Sequence, residues 1–599
     1  MTEQEERWLK EVYRPHERQL TVRAVLSGMI IGAVMCLSNL YVFLKTGWSM
    51  GVTITACILA YAFFRVMKLA RLARSELGQL ENNAMGSVAS AAGYMTGGGN
   101  MSAIPALLIL TGYRPDPVPM FAWFALIAAM GVFVAIPIKR QLINVEQLAF
   151  PTGIATAETL KSLHSEGSSA DKGDKAKLLG GAAIVGVLVA WLRDAKIPFA
   201  LPHAFSLPLT IAGHALEKWT LSLEGSLILF GGGGLISFRT GWSMLLGGLV
   251  TYGVIAPWLF TNGMIATVSY RAIVTWTLWP GAAILVASGL LAFAFEWRNI
   301  ARSFSAIFAL VRGQKTEGDA LDAIEAPQWW FVAGVTLLAP FVIAMMHFLF
   351  GVPLWAGVIA IPLGVLMGIV AARVTGETDV TPTKALGPLT QVMYGAMLPG
   401  NMTANVMSGN VTGGVGLHAA DLLTDLKSGY LLGAKPRQQL FAQLFGVLAG
   451  AAAVVPAFNL LVPDASVLGT DQFPAPSIQV WAGVSKVMVG GLSGLSQSAR
   501  IAAVIGVILG IVLALAERYA TPKIKRFVPS PSGVGLAMVM PGYNAISFFA
   551  GALVAELVRR RKPAFAERTV IPVSSGFIAG ESLMGILVAM LVAFGVLSK

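Results

Sequence analysis

Charge is scarce in this chain: Lys, Arg, Asp and Glu make up 12% of its 599 residues. A soluble domain carries about 25%, so an ordinary globular enzyme is excluded. Cysteine is scarcer still. Cys36 and Cys57 both lie inside apolar runs and imply neither a disulfide framework nor a metal motif. The six histidines (16, 164, 203, 214, 347, 418) show no HExxH or paired ligand spacing, so no built-in metal and no cofactor is expected. No Ser-His-Asp arrangement is recognisable. Gly231 to Gly234 form a glycine tetrad, but no Lys-Ser/Thr follows, so it is not a phosphate loop. The N-terminal MTEQEERWLKEVYRPHERQL mixes both charge signs without an apolar h-region, and no cleaved signal peptide is expected.

What the chain does have is apolar residues, at 55%, with a mean hydropathy of +0.70. It reads as an all-α, polytopic integral membrane protein. Its 65 glycines suit helices that must approach closely without a hydrophobic drive between them. The GxxxG pairs Gly28/Gly32 and Gly446/Gly450 fit that use, although chance supplies several in so Gly-rich a chain. The net charge of +12 falls largely in short runs between apolar segments, which the positive-inside bias explains without nucleic acid.

Spans of about 20 apolar residues match a hydrocarbon core of about 30 Å. By that ruler helices are expected near 22–44, 50–67, 118–138, 177–192, 242–260 and 272–295, then near 329–350, 354–373, 438–462, 500–516, 534–557 and 571–597. Less uniform segments at 77–111, 146–164, 200–238, 386–432 and 474–498 read as discontinuous or interior helices, for about 14–17 membrane segments in all. The basic loops at Arg65–Arg74 and Arg559–Lys562 should be cytoplasmic, and the N-terminal segment 1–20 with them.

The polar stretch 296–328 reads as a cytoplasmic linker between two repeats, 21–295 and 329–599. Short matches occur in the same order in both. GWSMG (47–51) pairs with PLWAG (353–357), LGQL (77–80) with LGPL (386–389), AETLKS (157–162) with TDLKS (424–428), and SMLLG (243–247) with SFFAG (547–551). Internal repeats are a recurrent construction of secondary transporters, with the substrate site at the repeat interface.

The stretch Met397–Tyr430 stands out. It carries Asn401, Asn405, Asn410, His418, Asp421, Asp425 and Lys427 between apolar segments, with Gly at 400, 409, 413, 414, 416 and 429. Ionisable groups at membrane depth cost about 2.5–3.5 kcal/mol each and normally face a bundle interior or a water-filled path. Gly-bent backbone is tolerated there only where protein or a cavity satisfies it, so this segment is expected to line a transport site. Glu158 and Lys161 share a helix face, as do Asp421 and Asp425. The carboxylates read either as carriers of a transported proton or as helix-end groups with Lys snorkelling beside them.

Glu81-Asn82-Asn83 opens the first irregular segment, as a site or as an interfacial helix start. The asparagines read as substrate contacts or interhelical hydrogen bonds, and His418 as a relay or a structural hydrogen bonder. Lys45 and Arg239, each before a TGWSM run, fit interfacial anchors better than an anion site. Glu581, a single acid in the last span, suits either coupling or a bond to a neighbouring Ser, the structural reading slightly ahead.

Several stretches together resemble the oligopeptide transporter family, including its yellow stripe-like branch and its prokaryotic members. They are SNLYVFLKTGWSMGVTI (38–54), LENNAMGSVASAAG (80–93), AFPTGIATAETLKS (149–162), GNMTANVMSGNVTGG with AADLLTDLKSGYLLGAKPRQQ (400–439), VPSPSGVGLAMVMPGYNAISFFAGAL (528–553) and PVSSGFIAGESLMG (572–585). The resemblance implies about sixteen helices made by duplication of a bundle, and cation symport, usually with protons. Implied substrates are small peptides, glutathione-like peptides and metal complexes of chelators such as nicotianamine. The Asn-Pro-Gly and Lys-Ile-Pro-Pro-Arg signatures of the peptide-transporting branch are missing as such, so a metal chelate stands level with a peptide. Carried over to motif positions, the site comprises Glu81, Asn82, Asn83, Glu158, Asn401, Asn405, Asp421 and Asp425.

The expectation is a proton-coupled symporter, not an enzyme, in the cytoplasmic membrane. Its partners are a small solute, protons and the bilayer. A homodimer stays open, with no coiled-coil or soluble interaction domain to support it. The rival is a membrane-embedded enzyme acting on a peptide or lipid-linked substrate, which needs a nucleophile with its base or a metal cluster. A passive channel is the third reading.

Overall fold

A single 31-residue helix, Met402–Leu432, runs buried through the larger of two helix groups, and nine other helices pack on it. The computed structural model describes residues 2–47, 49, 52–71, 75–164, 169–194, 201–202, 204–295, 320–378, 381–491 and 495–593. Most of the expected linker, 296–319, therefore lies outside the described residues, as do parts of the GWSMG run.

In chain order the helices are α1 (Glu3–Glu11), α2 (Val22–Thr46), α3 (Thr53–Leu69), α4 (Gln79–Tyr94), α5 (Gly98–Met101), α6 (Ala103–Thr111), α7 (Pro117–Lys139), α8 (Pro151–His164) and α9 (Ser169–Asp194). Then come α10 (Leu227–Leu235), α11 (Phe238–Val250), α12 (Ala256–Thr261), α13 (Tyr270–Phe295), α14 (Trp329–Phe348), α15 (Leu354–Thr378), α16 (Thr383–Met397) and the central α17 (Met402–Leu432). The series closes with α18 (Pro436–Leu461), α19 (Pro476–Gly490), α20 (Gln497–Tyr519), α21 (Pro522–Lys525), α22 (Pro531–Ala537), α23 (Gly542–Arg561) and α24 (Pro563–Ala593). Among the described residues, nine helices are long and apolar enough to cross a membrane by length and composition. The short or polar helices, including α4 and α17, fall outside that count.

Local chemistry sets the ends. Thr21, Asn401 and Ser496 each accept a backbone N–H of the first turn they precede, the usual N-cap bond. Gly433 closes α17 at φ +82, a left-handed conformation that costs glycine little.

Three expectations are corrected. The Gly-rich stretch 386–432 is not bent within α17: one break at 398–401 separates α16 from a regular helix. Its glycines admit neighbours. A Cβ at Gly413 would lie 3.1 Å from Gly99 Cα, and one at Gly416 would lie 2.9 Å from Leu386 Cδ1. The span expected at 534–557 is divided into α22 and α23, with Pro541 just before α23, because a proline cannot donate the backbone bond a continuous helix needs. The segment 200–238 forms an interior helix only at α10. Before it, Ala204–Phe205 pairs with Leu223–Glu224 and Thr210–Ile211 with His214–Ala215 in two-residue antiparallel ladders, in a stretch where Pro202 and Pro208 oppose helix.

Elements from before and after the linker interleave. α17 packs against α4 to α8 on one side and α15, α16, α18 and α19 on the other. Both GxxxG pairs dock on the same helix: Gly28 and Gly32 of α2 face Val88 and Ala92 of α4, and Gly446 and Gly450 of α18 face those residues from the other flank. A second group, α10 to α13 with α20, α22 and α23, has its own core around Trp219, Tyr252, Ile273 and Val539. It joins the first through α24, which packs on α10 as well as on α9 and α2, and through α13, which packs on α16 and α19.

Candidate functional site

Asn405, Asn410, His418, Asp421, Asp425 and Lys427 are all buried, and α17 strings most of them into one polar thread inside an apolar bundle. Halfway along, the chain between α4 and α6 is interrupted at Met95–Gly97 and at Ser102, around the single turn α5, whose carbonyls need partners. Asn410 answers them, its Nδ2 donating to Gly99 O at 2.8 Å and Asn100 O at 3.2 Å. Its Oδ1 accepts from Trp123 Nε1 at 2.6 Å. This is the arrangement that makes irregular backbone tolerable at membrane depth. Asn100 Nδ2 lies 2.7 Å from His418 Nε2, while His418 Nδ1 is buried without a partner among the described residues.

One turn further lies the carboxylate pair. Ser90 Oγ donates to Asp421 Oδ1 at 2.6 Å. The Nε2 of Gln443, on α18, donates to Asp421 Oδ2 at 3.1 Å and to Asp425 Oδ2 at 2.7 Å. One amide thus bridges two carboxylates. Thr53 Oγ1 lies 2.9 Å from Ser90 Oγ and 3.5 Å from Asp425 Oδ1. Among the described residues neither carboxylate has a salt-bridge partner, since Lys427 points away over the Tyr430 ring. The thread continues through Gln439 Nε2, which donates to Asp425 O at 2.8 Å, and Ser428 Oγ, which donates to Asn83 Oδ1 at 2.8 Å. Asn82 closes it, its Nδ2 donating to Cys57 O at 3.3 Å.

Of the eight residues expected at the site, the fold therefore gathers Asn82, Asn83, Asp421 and Asp425, and it places four elsewhere. Glu81 sits at the first turn of α4, held by Arg23 Nε (2.9 Å), Thr21 Oγ1 (2.8 Å) and Gly78 N (3.0 Å). Glu158 is exposed on α8 and meets Lys161 at 3.0 Å. Asn401 is the N-cap of α17, and Asn405 donates to Gln391 O. At 1.5 Å per residue Asn401 and Asn405 lie about 36 Å and about 30 Å from Asp425 along the helix.

Residues the sequence reading passed over complete the picture. Ser90 lay within a quoted motif, and Gln443 stands one turn after Gln439 in the expected span 438–462, a polar pair on one helix face that could have marked it. Glu581 bonds a serine, but Ser226 Oγ at 2.8 Å from a distant segment rather than a neighbour in its own motif, and also Arg193 Nη1 (2.7 Å), Leu227 N (2.5 Å) and Ile228 N (3.0 Å), so it caps α10. Arg239 is anchored by Glu517 at 2.7 Å and Val528 O at 2.8 Å. Lys45 is corrected: it does not snorkel but is buried and paired with Glu224 at 3.2 Å.

The family model described as OPT oligopeptide transporter protein matches residues 19–592. YGL114W of Saccharomyces cerevisiae, named for oligopeptide transport, is 24% identical, with 96% of this chain and 96% of its own covered. A Haemophilus influenzae protein named for the same activity is 25% identical over 93% of each chain. The iron-phytosiderophore transporter yellow stripe 1 of Zea mays is 24% identical over 94% of this chain and 89% of its own. The family model and these relatives, each named as a transporter, extend over nearly the whole chain, so the apolar bundle with its buried polar thread is that of a multi-pass membrane transporter and the chain belongs to the OPT oligopeptide transporter family.

Proposed function

We propose that the protein is a secondary active transporter that imports a small peptide, or a metal complex of an amino-acid-derived chelator, across the cytoplasmic membrane with protons. Asp421 and Asp425 are the proton-binding groups. The observation that carries this is the bridged pair: two buried carboxylates one turn apart, sharing one amide donor, with no cation beside them among the described residues. A proton held between them removes one of two unfavourable charges at membrane depth and lets one carboxyl donate to the other. The donors come from α4 and α18 while the acids sit on α17, so sliding of α17 against those helices changes the pair's surroundings. That is what coupling to alternating access requires. The peptide and chelate alternatives rest on the names of the yeast and maize relatives.

The test is uptake into proteoliposomes of di- to tetrapeptides, glutathione and iron or copper nicotianamine, with and without an inward proton gradient. Wild type is expected to accumulate one class only with the gradient. Asp421→Asn and Asp425→Asn should abolish that accumulation, and Glu158→Gln should stay within about twofold of wild type, as exposed pairs contribute little. Gradient-driven uptake that survived both aspartate substitutions would end the coupling proposal.

A further inference from the structure

In the second helix group α13 and α20 are held close by glycine: a Cβ at Gly506 would lie 2.6 Å from Pro280 O, and one at Gly510 would lie 2.8 Å from Ile284 O. One turn beyond, at Ser288 and Ala514, the two helices part. A cleft of about 270 Å³ opens there, walled by Ala292 and Phe295 of α13, Arg518 of α20, Lys525 of α21 and Ser532 of α22. Arg518 and Lys525 are both exposed, and the Arg518 guanidinium stands 5.8 Å from the centroid of the Phe295 ring. Glu517 is the one acid among the described lining residues, and Arg239 holds it at 2.7 Å. Lys523 and Arg526 flank Lys525 and are exposed as well, so the ten residues 517–526 carry four cations against that single acid.

The surface leading to the cleft is apolar and faces outward. On α20, Ile501, Val504, Ile505, Ile508, Val512 and Leu515 recur at helical spacing and are 39–58% exposed, which in a membrane protein is a stripe turned towards hydrocarbon. Past its end Tyr519, Ile524 and Phe527 are exposed among the cations, and Arg526 lies 4.7 Å from the centroid of the Phe527 ring. Aromatic and basic side chains interleaved at the end of an apolar stripe mark the headgroup level of a bilayer. The cleft therefore opens at the depth where a lipid's phosphate joins its acyl chains.

We propose that this cleft is a binding site for an anionic phospholipid. Arg518 takes the headgroup phosphate through its planar fork, Lys525 adds a point charge, and Ser532 adds a hydroxyl donor. One acyl chain runs down the exposed stripe of α20. An anionic headgroup fits better than a zwitterionic one, because a choline would bring another cation to a rim that is already basic. A lipid seated there ties α13, α20, α21 and α22 together, so its binding steadies this helix group whatever solute the protein carries.

Native mass spectrometry of the full chain in neutral detergent measures the binding of phosphatidylglycerol and of phosphatidylcholine with the same acyl chains, and thermal unfolding is followed in the same mixtures. Wild type should bind phosphatidylglycerol at least about fivefold more tightly, and its unfolding midpoint should rise by a few degrees with that lipid alone. Arg518→Gln with Lys525→Gln should weaken phosphatidylglycerol binding about tenfold or more, from the loss of two basic side chains at a lipid surface, and leave phosphatidylcholine unchanged. Arg518→Lys with Lys525→Arg keeps both charges and should retain most of the binding, which separates loss of the site from loss of the fold. Arg561→Gln with Lys562→Gln removes as much charge at the end of α23, outside the cleft, and should bind as wild type does. The proposal is overturned if wild type shows no preference for phosphatidylglycerol, if the cleft variant binds it undiminished, or if the α23 variant weakens it equally, which would make the attraction diffuse. It is also overturned if inorganic phosphate displaces the lipid and raises the midpoint as far, since the cleft would then hold a free anion.

Discussion

Replacing Gly450 by Ala tests how closely the packing of α4 and α18 is tied to the carboxylate pair. A methyl at Gly450 would lie 2.6 Å from Ala92 O and 2.7 Å from Ala92 Cα, where ordinary contact begins at 3.4 Å. Both opposing atoms are backbone and cannot turn aside, so the helices must part by about 0.8 Å, at a cost of about 1–3 kcal/mol for overpacking. The same two helices bring Gln443 and Ser90 to the aspartates. Where α18 gives way and moves off α17 by that amount, the 2.7 Å bond from Gln443 to Asp425 lengthens to about 3.5 Å, beyond useful hydrogen bonding. Losing a hydrogen bond to a charged group costs about 1.5–3 kcal/mol, a factor of about ten or more. Gly450→Ala should therefore lower the thermal unfolding midpoint by a few degrees and reduce gradient-driven uptake about tenfold. Gly181→Ala on α9, where a Cβ meets nothing within 4 Å, is the control and should be neutral or stabilising by up to about 1 kcal/mol. If Gly450→Ala unfolded and transported like wild type, the proposed link between close packing and the acid pair would be wrong.

The docking of α1 should depend on pH through Glu5. Burial works against its charge, but hydrogen bonds from Arg140, the Thr2 backbone and Asn144 outweigh that and hold its carboxyl down at about 2, from an ordinary 4.5. A lowered value stabilises the docked state fully above about pH 4.5 and is lost as pH falls towards 2. The protection of the amides of residues 3–11, taken relative to their intrinsic exchange rates at each pH, should then be flat from pH 7 to 5 and fall below, with Glu5→Gln lowering it already at pH 7; equal protection in that variant would refute the role. Lys45→Met leaves Glu224 buried without its cation, and loss of one partner of such a pair costs about 3–5 kcal/mol. Thermal unfolding should show the double variant Lys45→Met, Glu224→Gln recovering much of that loss, and a double variant no better than the single would count against the pair.

Several apolar spans were legible to within a few residues, though not 534–557, which Pro541 divides. The expected 22–44, 118–138 and 272–295 became Val22–Thr46, Pro117–Lys139 and Tyr270–Phe295. The Gly-rich stretch was legible as interior but not as straight, because glycine reads alike whether it bends a helix or admits a neighbour. Gly413 shows the difference only once Gly99 is seen against it. Glu158 and Asp421 present the same local signal, an acid in a Gly- and Thr-containing segment. Packing exposes one on α8 and encloses the other between α4, α17 and α18.

Low charge, long apolar runs and basic loops determined by themselves that this chain is an all-helical membrane protein, because transfer into a bilayer depends on composition over about 20 residues at a time. The same local sums singled out Met397–Tyr430 as interior. Which of its acids share a donor, and which neighbours supply it, only the tertiary structure decided. Ser90 reaches Asp421 across 331 residues of chain, a pairing set by how closely α4 and α17 approach and written in neither segment alone.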